Sequence, residues 1–213
     1  CIVCKFGGSA TATPEAVRSL CALVRQNKQR RYVVVSAPGR RTKGDDKITD
    51  LLLAAYRESL CGKSDAWQQV RSRFFRLADE LNVKGMLACL QETERALAEH
   101  PYEAFFASRG EYLCATMLAE LLQWPMVDAV GIIRFCGTKA NFDASYVTTK
   151  EKLARVPYAV IPGFYGSDEK GNVVTFSRGG SDVTGAIVAR AVEADLYENW
   201  TDVDGVLSAN PNY

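Results

Sequence analysis

Residues 32–37 read Tyr-Val-Val-Val-Ser-Ala, an apolar run without polar alternation. A strand with one face in water alternates apolar and polar side chains. A run that does not alternate is buried on both faces, as in a parallel sheet covered by helices. Further short apolar runs at 2–6 and 158–164 read as strands of the same kind, and 195–200 reads as a final strand. Between them the apolar period lengthens. Residues 14–28 read as a helix, with Thr13 as cap, Pro14 in the first turn, and Val17, Leu20, Cys21 and Val24 as the apolar stripe. A second helix is expected at 48–60. Residues 65–124 read as helical almost throughout, with breaks near Asn82, at Pro101 and at Gly110. Short strands are expected at 126–130 and 131–135. A turn at 166–171 leads into a strand at 173–176, and a last helix covers 181–194. Strands alternating with helices predict an α/β fold: a three-layer αβα sandwich around a mainly parallel central sheet. In such sheets ligands sit beyond the carboxyl ends of the strands, where loops enter helices.

The chain has 213 residues, enough for one large domain or two small lobes. A net charge of +1 supplies no field toward nucleic acid or a membrane surface, so neither is expected as a partner. No apolar run approaches the roughly 20 residues of a membrane span. The first residues run too quickly into Gly7-Gly8 to read as a secretory leader. Seven cysteines, an odd number scattered through helices and strands, imply reduced thiols and a cytoplasmic protein. Cys1 and Cys4 lie three apart in a strand and face opposite sides, which argues against a redox or metal pair. The single histidine, His100, precedes Pro101 at a helix end. Unless it is itself the base, it leaves no histidine for a zinc hydrolase or a Ser-His-Asp triad. No metal-ligating set is assigned.

Two strands run straight into Gly-Gly-Ser: Lys5-Phe6-Gly7-Gly8-Ser9 and Arg178-Gly179-Gly180-Ser181-Asp182. Glycines let backbone N–H groups turn toward a ligand, and a helix N-terminus adds partial positive charge. Together they make a cradle for phosphate or carboxylate oxygens, with Lys5 and Arg178 adding full charges at its rim. Two ordinary tight turns, with Ser181 or Asp182 as a helix cap, are the alternative. Other phosphate and metal signatures fail. Gly62-Lys63-Ser64 lacks the first glycine of a phosphate loop, since Arg57 stands there. Asp202-Val203-Asp204-Gly205 opens like a calcium loop and then departs from it. Gly185, inside the last helix, is explained by close packing, close ligand approach or neutral drift.

The combination of KFGGS at 5–9, KITDLL at 47–52, SRGE at 108–111, VIPGFYGSDEKGNVVTFSRGGSD at 160–182 and YENWTDVDGV at 197–206 resembles the aspartokinases. These are members of the amino acid kinase superfamily, and the resemblance spans nearly the whole chain. It implies the amino acid kinase fold. It also implies transfer of a phosphoryl group from ATP, with Mg2+, to the side-chain carboxylate of L-aspartate, giving 4-phospho-L-aspartate on the route to lysine, threonine and methionine. A non-catalytic aspartate- or nucleotide-binding module, or a kinase of another small amino acid, are the alternatives. By the resemblance, Lys5 and Asp182 are the catalytic pair. Thr49, Glu111, Arg178 and Ser181 bind aspartate. Gly7, Gly8, Ser9, Gly179, Gly180, Thr201, Asp202 and Asp204 shape the nucleotide site. Ser108-x-x-Glu111 also fits a capping box, which would make Glu111 a helix-start residue.

The resemblance further implies an aspartate lobe at 1–165 with the catalytic lysine, and the start of a nucleotide lobe at 166–213. It implies a C-terminally truncated catalytic domain, no ACT regulatory domain within this chain, and a homo-oligomer for the full-length protein. The departure from the pattern comes at the end. Asn210 and Asn212 stand where an aspartate and an arginine are typical, which puts a nucleotide contact in doubt.

Overall fold

The structure is a computed structural model and describes residues 1–177 and 179–201. In chain order its elements are β1 (Ile2–Phe6), α1 (Pro14–Gln26), β2 (Arg30–Val35), α2 (Ile48–Ser59), α3 (Asp65–Glu80), α4 (Met86–Glu99) and α5 (Glu103–Leu122). They continue with β3 (Phe135–Cys136), β4 (Lys139–Ala140), α6 (Phe142–Leu153), β5 (Ala159–Pro162), β6 (Tyr165–Ser167), β7 (Val173–Thr175), α7 (Gly180–Ala191) and β8 (Leu196–Trp200). The central sheet has the order β5-β2-β1-β8, and every pair in it is parallel. All of β1 and β5 and the last four residues of β2 are buried, so both faces are covered, as the unalternating pattern requires.

Neighbouring residues of β1 point to opposite faces. Lys5 reaches α7, and Phe6 lies with Leu20 and Leu23 of α1. Accordingly α7, with α6 against it, forms one helical layer. α1 and α5 form the other, with α2, α3 and α4 stacked outside α5. Local signals set the boundaries. The Thr13 hydroxyl accepts the Ala16 N–H at 3.3 Å and opens α1 on Pro14. His100 closes α4 and packs its ring against Phe105, with centroids 4.7 Å apart.

Three expectations change. The break at Gly110 is absent, and α5 runs through it. A Cβ there would lie 2.7 Å from the Ala37 Cβ and 3.1 Å from the Ile48 Cγ2, so the glycine marks close helix–loop packing rather than an end. The two strands expected at 126–135 reduce to isolated parallel bridges from Met126 to Val160 and from Arg134 to Ser167, a 3-10 turn at Ala129–Gly131 capped by Asp128, and the two residues of β3. Asp128 supplies the reason, since its side chain accepts the Val130 N–H and turns the chain. Finally, α6 lies in a stretch with no strong apolar period. It opens on Asn141, whose side chain accepts the Ala144 N–H, and its buried residues are only Ser145, Thr149 and Leu153. Among the described residues no helix is long and apolar enough to cross a membrane.

Candidate active site

Because the sheet is parallel, the carboxyl ends of β1, β2, β5 and β8 open on one edge, and backbone hydrogen bonds tie their exits together. The Gly7 N–H donates to the Trp200 carbonyl at 3.1 Å, Ser36 N–H to Phe6 at 3.1 Å, and Gly163 N–H to Val35 at 2.9 Å. Gly8 then meets the loop after β2. Its carbonyl accepts the Gly39 N–H at 2.8 Å, and a Cβ on Gly8 would lie 2.8 Å from the Ala37 carbonyl oxygen. Any side chain at Gly8 would force these two backbones apart.

Over this edge lies the Lys5 ammonium. It sits 2.9 Å from the Asp182 Oδ1, with the lysine side chain 9% exposed and the aspartate 48%. A nearly buried ammonium needs a counter-charge, and Asp182 is the carboxylate that supplies it. The lysine also curls toward Gly7, where a Cβ would stand 3.8 Å from Nζ. Asp182 is carried by the first turn of α7. That turn begins from Gly179 in the left-handed region, at φ 69°, a conformation glycine takes without steric cost. Asp182 therefore does not act as the cap; its backbone N–H donates to the Gly179 carbonyl. Ser181, buried beside it, lies against Gly163 after β5, so closely that a Cβ on Gly163 would come within 2.7 Å of its hydroxyl oxygen.

Glu111 enters the same region from α5. The capping-box reading fails, because α5 begins at Glu103 and the Ser108 hydroxyl donates within the helix, to Phe105 O at 2.7 Å. Glu111 is 5% exposed, and its Oε2 has no hydrogen-bond partner. Burial pushes its carboxyl up to about 8; the Ala37 N–H and the Arg109 cation oppose this only partly. A buried, orphaned carboxyl oxygen next to the β2 exit is a ready acceptor for a cation. Thr49 stands in the first turn of α2, next to Ile48, which packs on Gly110. Its hydroxyl makes no hydrogen bond among the described residues.

Ser9 and Thr201 share an open hollow of about 320 Å³ on the α1 side of β1 and β8, with Phe6 and Trp200 in its wall. The structure thus brings Lys5, Gly7, Gly8, Ser181, Asp182 and Glu111 around one sheet edge and leaves Ser9 and Thr201 flanking it. Arg178, Asp202, Asp204, Asn210 and Asn212 lie outside the described residues. Tyr197 and Asn199 lie in the 197–206 motif but are assigned no role by it, yet they bind Asp182 from β8. The Tyr197 hydroxyl donates to the Asp182 carbonyl at 3.3 Å, and the Asn199 amide to Oδ1 at 3.1 Å. Only their two-residue spacing on a strand places them on one face.

Residues 1–213 match the model of the amino acid kinase family. Aspartokinase 3 of Bacillus subtilis is 34% identical over 99% of this chain and 50% of its own length. A crystal structure of Clostridium acetobutylicum aspartate kinase superposes with a TM-score of 0.92 at 40% identity, covering 99% of this chain and 50% of that one. Escherichia coli aspartokinase III, solved in complex with lysine and aspartate, superposes with a TM-score of 0.79 at 25% identity, over 99% of this chain and 51% of that one. The chain spans about half the length of the curated relatives it matches.

Proposed function

This chain belongs to the amino acid kinase family, and from that premise we propose that it carries the acceptor site and catalytic lysine of an aspartokinase. The reaction transfers a phosphoryl group from ATP to the side-chain carboxylate of L-aspartate, giving 4-phospho-L-aspartate and ADP. The observation that carries this reading is the Lys5–Asp182 pair, at 2.9 Å, set over the Gly7-Gly8 turn at the carboxyl edge of a parallel sheet.

A carboxylate is already a nucleophile and needs no general base. The obstacle is the approach of two anions, so catalysis rests on positioning and charge neutralisation. Lys5 neutralises the phosphoryl group in flight, and Asp182 holds its ammonium in place. Glu111, once deprotonated, receives the ammonium of aspartate, while Ser181, Thr49 and Arg178 hold its carboxylates. Gly7, Gly8, Gly179 and Gly180 leave room for phosphate oxygens to reach backbone N–H groups, with Ser9, Thr201, Asp202 and Asp204 toward the nucleotide. Among the described residues no three acidic, histidine or cysteine side chains converge on a metal position. Mg2+ therefore enters this reading as the nucleotide's own counter-ion, and no step is routed through it.

As parts of the same proposal, residues 1–165 supply the acceptor side and 166–213 begin the nucleotide side. The product leads to lysine, threonine and methionine, and the full-length protein works as a cytoplasmic homo-oligomer. Hydroxylamine trapping of acyl phosphate tests the reading, with ATP, Mg2+ and a panel of aspartate, glutamate, acetylglutamate and carbamate. It is run on this chain and on a version extended to the relatives' length. Hydroxamate with aspartate alone is expected. Lys5→Met should cut turnover by about a thousandfold or more while aspartate still binds. No hydroxamate from either version, with aspartate binding intact, would sink the kinase reading.

A further inference from the structure

We propose that Asn199 is a positioning residue of this site, acting through Asp182 to fix which carboxylate oxygen holds Lys5; the inference rests on the kinase reading above.

The register of the sheet puts Asn199 directly beside Lys5, on the strand that pairs with β1. Both side chains rise on the face covered by α7, and both end on the same atom. The Lys5 ammonium lies 2.9 Å from the Asp182 Oδ1, and the Asn199 Nδ2 donates to that oxygen at 3.1 Å. An ion pair and an amide hydrogen bond converging on Oδ1 hold the carboxylate against rotation about its terminal bond, a torsion that is otherwise broad and two-fold. The other oxygen, Oδ2, has no hydrogen-bond partner among the described residues. It points back along the glycine turn, where a Cβ on Gly179 would stand 3.8 Å away.

The neighbouring residue on the same face of β8 reinforces the arrangement. Tyr197 packs its ring over Gly185, where a Cβ would come within 2.9 Å of ring carbons, and its hydroxyl reaches the Asp182 backbone carbonyl. Asp182 is thus held at its carbonyl by Tyr197 and at its carboxylate by Asn199. Tyr197 fixes the helix turn, whereas Asn199 alone addresses the carboxylate. The glycine at 185 is accounted for by this packing.

A lysine that must neutralise a moving phosphoryl group gains from a counter-ion that does not swing with it. Substrate binding does not depend on this, so the effect belongs in kcat. Asn199→Leu removes the donor while keeping the branched outline and the number of heavy atoms. It should lower kcat by about fivefold to tenfold, the scale of one partly exposed hydrogen bond to a charged group, with KM for aspartate and the melting temperature little changed.

Asn199→Asp is the second variant. It places a carboxyl against Oδ1, and two carboxylates this close cannot both ionise freely. Its deficit should shrink as pH falls, because the pair then takes up a proton and the new carboxyl donates again. A side chain that merely props up the strand would show neither the kcat-only loss nor this pH signature. A kcat within about twofold for Asn199→Leu, or an Asn199→Asp deficit independent of pH, overturns the inference with the kinase reading intact. Absence of aspartate-dependent turnover in the unsubstituted protein overturns the kinase reading, and this inference with it.

Discussion

Glu111 shows how burial alone prepares a side chain for one kind of guest. An acid whose folded pKa is raised binds its proton more tightly in the native state. Its contribution to stability is therefore full below its ordinary 4.5 and is lost as pH climbs through about 8. At neutral pH the group is mostly protonated, and in the proposed role pairing with the ammonium of aspartate must expel that proton. Calorimetry at pH 7 in buffers of different ionisation enthalpy should therefore show proton release on aspartate binding. Affinity should strengthen by up to about tenfold per unit as pH rises toward 8. Glu111→Gln should bind more weakly and lose that slope; an unchanged slope would remove Glu111 from the acceptor site. The resemblance to aspartokinases implies an aspartate-binding role for Glu111. The sequence alone pulled the other way, because Ser108-x-x-Glu111 looks like a helix start and nothing local reveals that the helix has already run for five residues.

At the scale of elements, the contact between α5 and the loop after β2 leaves no room for a side chain at Gly110. Gly110→Ala gains about 1 kcal/mol of helix propensity but drives a methyl to 2.7 Å from the Ala37 Cβ. The helix must then retreat, carrying Glu111 with it. A net loss of about 1–3 kcal/mol is expected in denaturant unfolding, together with a raised KM for aspartate. The same glycine misled the element reading, since a glycine inside a helical pattern signals either a break or a tight approach and only the neighbour decides. β1, β2 and β5 were legible because burial on both faces leaves an unalternating run. α6 was not, because its hold on the fold is polar. The Thr148 and Thr149 hydroxyls donate to the Ile132 carbonyl, and Ser145 accepts the Arg134 N–H. Asn199 was invisible for a related reason, since an asparagine at a strand end acquires meaning only from the helix that crosses it.

Across the whole molecule, all seven cysteines are free thiols, and their environments differ sharply. Cys61 and Cys136 are exposed, Cys1 is half-buried, and Cys4, Cys21, Cys89 and Cys114 are buried. Burial pushes all four buried thiols up, suppressing the reactive thiolate. Thiol titration of the native protein should label Cys61 and Cys136 first, with Cys136 slowed by the adjacent Glu169. The four buried thiols should respond only on unfolding. Rapid labelling of more than three sites would mean that the packed core is not as described. Reductant should leave the melting temperature unchanged.

The strand order β5-β2-β1-β8 also sets a timetable for synthesis. Cys4 and its sheet neighbour Glu198 are separated by 194 residues. At roughly 5–20 residues per second, a ribosome needs about 10–40 s between making the first strand and making the one that covers its edge. Through most of that interval the nascent chain has Lys5 but no Asp182. A chain stalled before α7 can pair β1, β2 and β5 yet leaves Lys5 without the carboxylate that neutralises it.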